Sequence, residues 1–149
     1  MYSEADFQTA AQGICPGPDL EWFAADQHGN VAGFCNAGFA AVPTRVFSSY
    51  DLFTRALDAV YQLPTNGSVL WYTLRPPIHD TWDTWSTRGI FGYDWNHCIG
   101  QPDPSLPYKL MTRPENPINV SCFSEEIAAY LNSIRIPTAE FSVATEILV

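Results

Sequence analysis

The chain has 149 residues, 46% of them hydrophobic and 15% charged, a globular composition long enough to bury one core without disulfides or a metal. Sixteen acidic residues against seven basic ones give a net charge of -9, which repels nucleic acid and anionic membrane as direct partners. No apolar run approaches the roughly 20 residues of a membrane span, and the start "MYSEADFQTAAQG" lacks the charged and apolar regions of a signal peptide, so the expected location is cytoplasmic.

The first structural signal in chain order is "EWFAADQHGNVAGF". Trp22 to Ala25 and Val31 to Phe34 are apolar runs on either side of "DQHG", where Asp26 and Gly29 occupy the favoured first and last places of a type I turn. A β-hairpin is expected, with His28 exposed at its tip. A calcium loop needs more oxygen ligands than Asp26 and Asn30 supply.

Gly38 and Pro43 then interrupt regular structure. Ser48 followed by Asp51 reads as a helix cap, and Leu52, Phe53, Ala56, Leu57 and Val60 fall on one helical face that ends at Leu63-Pro64. "PTNG" is a turn, and "SVLWYTL" at 68–74 reads as a central strand because it is rich in β-branched and aromatic residues. Asp80 is placed to open a short helix on which Trp82 and Trp85 share a face, with Gly89 near its end and "GIFGYDW" following as a strand.

"GQPDPSLP" is a surface loop and "YKLMTRP" a strand ended by Pro114. Ser124 precedes "EEIAAYL", whose Glu125 and Glu126 suit a helix N-terminus and whose Ile127, Tyr130 and Leu131 face inward. A last strand is expected in "EFSVATEILV", from the alternation of Phe141, Val143, Ile147 and Val149. The whole predicts one α+β domain over 1–149, a mostly antiparallel sheet with two or three helices.

Few residues suggest chemistry. His79 and Asp83 are four apart, but Pro76 and Pro77 place His79 before the first helical turn, and two candidate ligands do not make a metal site. His97 and Cys98 are neighbours, so an extended backbone sends their side chains to opposite faces, away from a nucleophile and base pairing. A small hydrolase-like enzyme using Cys98, or the carboxylates of Asp80, Asp83 and Asp94, is therefore the alternative reading. An accessory or structural interaction module is a second alternative. No cofactor motif is present. The four cysteines, Cys15, Cys35, Cys98 and Cys122, are expected as free thiols in a reducing compartment.

"EWFAADQHGNVAGF" followed by Val42-Pro43, then "GIFGYDWN", then "PYKLMTRPENPINV" before a short helix, resembles a group of small bacterial proteins similar in size and style to immunity proteins of polymorphic toxin systems. The resemblance spans about 20–149 and implies a protein that binds and neutralises, with no catalytic residues to carry over. Charge points the same way. Residues 1–44 hold Glu4, Asp6, Asp19, Glu21 and Asp26 with no Lys or Arg, and the complement of such a segment is a basic protein surface, for instance the phosphate-binding cleft of a nuclease toxin. The expected function is non-catalytic occlusion of a basic partner through Asp19, Glu21 and Asp26, with Trp82, Asp83 and Trp85 as the anchor.

Overall fold

The computed structural model describes residues 2–73, 81–97 and 99–149. The helices are α1 (Glu4–Ala11), α2 (Tyr50–Gln62), α3 (Thr81–Ser86) and α4 (Glu125–Ser133). The strands are β1 (Glu21–Ala25), β2 (Val31–Cys35), β3 (Val69–Trp71), β4 (Phe91–Asp94), β5 (Tyr108–Pro114) and β6 (Glu146–Ile147). They form one sheet of order β1-β2-β4-β5-β3, with β6 also on β5. The class is α+β, as the element pattern predicts. The sheet is mixed, because β2 and β4 run parallel and so need the long crossover through α2 and α3.

The hairpin forms where the turn chemistry puts it. Glu21 to Ala25 pair with Cys35 to Val31, and the Gly29 N–H donates to the Asp26 carbonyl at 3.1 Å with Gly29 at φ +82°, a conformation glycine adopts without strain. His28 stands exposed at the tip, its ring 3.9 Å from Glu140.

Alternation sorts the core into two layers. On one face Phe23, Gly33 and Gly92 lie in register across β1, β2 and β4, and α3 packs onto the two glycines. A Cβ on Gly33 would sit 2.5 Å from Trp85 Cε3, and one on Gly92 would sit 3.2 Å from Trp82 Cβ. The glycines thus make the seat for the tryptophans. On the other face Trp22 stacks on Phe34 at 4.2 Å, and Phe34 meets Tyr93, Tyr108 and Phe141. A bulge inserts an extra β5 residue between the Gly92–Thr112 and Tyr93–Leu110 pairs, which turns Thr112 toward α3 and Leu110 toward the aromatic stack.

Four local expectations are corrected. β3 is a three-residue edge strand with Leu70 57% exposed, while β4 takes the inner position; β-branched and aromatic content reports fit to a pleated surface, not place in the sheet. α2 is capped by Ser49, whose Oγ accepts from Leu52 N at 3.2 Å, one residue later than the Ser48 expectation, and its buried face is Phe53, Ala56, Leu57 and Val60. The C-terminal alternation does not make a long strand: Val143 and Ala144 N–H donate to the Glu140 carbonyl in a turn, Val143 and Val149 are exposed, and only Glu146–Ile147 pairs with β5. Finally, α1 is an additional helix, closed by a reciprocal cap between Ser3 and Asp6 and anchored by Phe7 among Phe47, Tyr50 and Phe53.

Ser124 caps α4 as expected, with Ile127, Tyr130 and Leu131 buried. Cys15 and Cys122 are exposed free thiols, Cys35 is buried, and Cys98 lies outside the described residues. Among the described residues no helix is long and apolar enough to cross a membrane.

Candidate functional site

The residues that charge and aromaticity single out do not form one surface. Asp26 is fully buried and holds the hairpin together: Oδ1 accepts from the N–H groups of His28 and Asn30 at 2.9 Å each, and Oδ2 accepts from Asn30 Nδ2 at 3.0 Å and Phe141 N at 2.9 Å. Its charge organises backbone, so the docking role expected of Asp26 is corrected to a structural one. The anchor role expected of Trp85 is corrected likewise. Trp85 is fully buried against Phe23, and Trp82 is half-buried on the same core. Two rings fit on one short helix because Gly33 and Gly92 clear the strand surface beneath them. Asp83 is half-buried in the first turn of α3.

Asp19 and Glu21 keep access to solvent. Asp19 is exposed as a residue, but its carboxylate tucks against the 36–38 turn and accepts from Ala37 N at 2.8 Å; desolvation there raises its pKa, against the lowering effect of that hydrogen bond. Glu21 opens β1 and is half-buried at the mouth of a cleft of about 380 Å³ lined by Tyr2, Glu21, Thr54, Leu57, Asp58 and Tyr61.

This cleft is the candidate site. α2 supplies one wall, because Thr54, Asp58 and Tyr61 recur at helical spacing beside the buried Leu57. Tyr2 supplies another, fixed by Tyr50 Oη donating to its carbonyl at 2.7 Å, by its own Oη accepting from Glu21 N at 3.0 Å, and by a tilted contact with Phe53. Tyr61 Oη donates to Glu21 Oε2 at 2.7 Å and Thr81 Oγ1 donates to Oε1 at 3.1 Å, so each carboxylate oxygen holds one hydroxyl. Burial raises the pKa of both Tyr2 and Tyr61 beyond the ordinary phenol range, followed by the Glu21 charge for Tyr2 and by the hydrogen bond to Glu21 and then its charge for Tyr61; the two phenols stay protonated at neutral pH.

Among the described residues no basic side chain compensates the cleft: Glu21 bonds only neutral hydroxyls there, and Asp58, which is exposed, has no hydrogen bond or ion pair. Arg55, the one basic residue of α2, is drawn away by Glu126 at 2.5 Å and Asp51 at 3.2 Å, which raise its pKa in that order. The arrangement is suited to receive a cation. A sequence reading missed Tyr2, Asp58 and Tyr61; the i, i+4, i+7 spacing of Thr54, Asp58 and Tyr61 along the border of the apolar face was the available signal, whereas nothing in the sequence marks Tyr2.

A larger cleft of about 450 Å³ lies between the end of α1 and the loop after β2, lined by Ile14, Cys15, Pro18, Asn36 and Phe39 among others. Among the described residues its walls bring no charged side chain. The enzyme-like residues are also dispersed. Asp94 ends β4 opposite Lys109, His97 places Nε2 2.8 Å from the Pro107 carbonyl and its ring against Trp95, and Asp80, His79 and Cys98 lie outside the described residues. Among the described residues no group of three His, Cys, Asp or Glu is placed to hold a metal ion. No protein-family model matches the chain, and no curated protein or solved structure matches it at a significant level.

Proposed function

We propose that the chain is a non-catalytic binding protein that recognises a basic surface on a protein partner, and that it acts in the cytoplasm as the immunity protein of a toxin and immunity pair. The single observation behind this reading is the cleft at Glu21 and Asp58, whose two carboxylates meet no basic side chain among the described residues. Two carboxylates on one cleft attract a cation delivered by another protein, and the attraction strengthens as the interface excludes water. The net charge of -9 adds long-range attraction for the same class of partner.

The resemblance to immunity proteins, carried by the hairpin, the "GIFGYDWN" strand and the "PYKLMTRPENPINV" segment, supplies the biological form of that binding. Blocking by occlusion needs stoichiometry and no turnover. The test is co-expression with the toxic product of the neighbouring reading frame: the wild-type chain protects the cell, Asp94→Asn and Cys98→Ser protect equally, and Glu21→Gln with Asp58→Asn protects poorly. Loss of protection by Cys98→Ser with the partner still bound would mean that chemistry carries the activity.

A further inference from the structure

We infer that the cleft at Glu21 is a pocket for a single arginine side chain of the basic partner, its guanidinium held between Tyr2 and Tyr61 and paired with Glu21 and Asp58. This rests on the binding function proposed above and names the group that is bound.

The hydrogen-bond capacity of Glu21 is the first reason. A carboxylate accepts about four hydrogen bonds, and Glu21 uses one on each oxygen, to Tyr61 and to Thr81. One acceptor site remains open on each oxygen, which is the two-point pattern that a planar guanidinium fork fills and a rounded ammonium does not. The walls are the second reason: Tyr2 and Tyr61 present aromatic surface beside Leu57, which suits a flat cation stacked on ring faces and an aliphatic stem laid along the helix.

A residue behind the cleft wall carries the third. Trp85 is fully buried, and its indole N–H faces the Tyr61 hydroxyl without a well-formed hydrogen bond. The Tyr61 hydroxyl donates to Glu21, so a guanidinium on Glu21 changes the field at that hydroxyl and at the indole N–H beside it. The Trp85 indole proton is therefore a reporter of binding that a merely charged surface would not move.

The test is an NMR titration of the ¹⁵N-labelled chain with N-acetyl-L-arginine amide, N-acetyl-L-lysine amide and the uncharged isostere N-acetyl-L-citrulline amide. The arginine probe should shift the Trp85 indole resonance and the amides of Glu21 and Asp58 saturably, with lysine weaker by about fivefold and citrulline by at least about tenfold. Asp58→Asn, an exposed change that leaves the fold intact, should weaken the arginine probe about threefold. Equal binding of arginine and lysine, or of arginine and citrulline, or no saturable shift at Trp85, overturns the pocket. Tetra-arginine and tetra-lysine peptides separate the two levels of the argument. If both bind alike and ignore Asp58→Asn and Glu21→Gln, the general attraction for basic partners stands and the pocket fails; if neither binds, both fail.

Discussion

Replacing Asp26 by Asn tests whether the hairpin is held by charge as well as by turn geometry. The carboxylate meets four donors: His28 N and Asn30 N on Oδ1, Asn30 Nδ2 and Phe141 N on Oδ2. An Asn in the same rotamer keeps its oxygen on the first pair and turns its amide nitrogen toward the second pair, donor against donor. Asn30 is half-buried and its side chain can turn to water, whereas Phe141 is fully buried, so its N–H loses its only partner. A buried N–H left unmet costs about 1–3 kcal/mol, and the bonds that survive lose a charged acceptor, so Asp26→Asn should lower stability by about 3 kcal/mol. Asp26→Ala strips all four donors and should cost more. Urea unfolding followed by tryptophan fluorescence reads both, with the slope unchanged if only stability moves. A loss below about 1 kcal/mol for Asp26→Asn, or equal losses for Asn and Ala, would refute the assignment.

The other predictions concern neighbouring parts of the same fold. His28→Ala should change stability by less than about 0.5 kcal/mol in the same assay, since the ring is exposed and its nearest charge, Glu140, is 3.9 Å away. Gly33→Ala drives a methyl to within 2.5 Å of the Trp85 ring and should cost about 1–3 kcal/mol by overpacking, with a visible change in near-ultraviolet tryptophan dichroism. In native protein never exposed to reductant, Cys15 and Cys122 should react promptly with a thiol reagent and the buried Cys35 only on unfolding. Burial raises the phenol pKa of Tyr93, Tyr108 and Tyr130 as well as Tyr2 and Tyr61. Above about pH 10 the unfolded chain therefore binds fewer protons than the folded one. Stability should be intact below that pH and fall as pH rises above it, with tyrosinate absorbance appearing together with unfolding; phenols that ionise at about pH 10 in the folded protein would contradict their burial.

What the sequence reveals of this fold follows the range over which each signal acts. The hairpin, the apolar face of α2, the Ser124 cap and the β5 strand depend on residues within a few positions of one another, and all are legible. The edge position of β3 and the parallel pairing of β2 with β4 depend on partners far along the chain and leave no local trace. Gly33 and Gly92 illustrate the gap. Each looks like a weak point in a strand, yet together they clear the space that takes Trp85 into the core and seats Trp82 against it. The same holds for charge: Asp26 and Glu21 look alike in sequence, but one is enclosed by four donors and the other opens onto a cleft completed by α2 and by Tyr2. α1 is legible too, since Ser3 and Asp6 carry a capping pattern.

The central proposal, that this protein meets a basic partner through the carboxylates of the Glu21 cleft, is tested most directly by stopped-flow association with the proposed partner, the purified product of the neighbouring reading frame, across a range of salt. The account predicts an association rate that falls steeply as salt rises while dissociation changes little, a rate reduced by Asp19→Asn, and a faster dissociation when Glu21→Gln and Asp58→Asn are combined. An association rate indifferent to salt, with dissociation unaltered in the Glu21 and Asp58 variant, would contradict it.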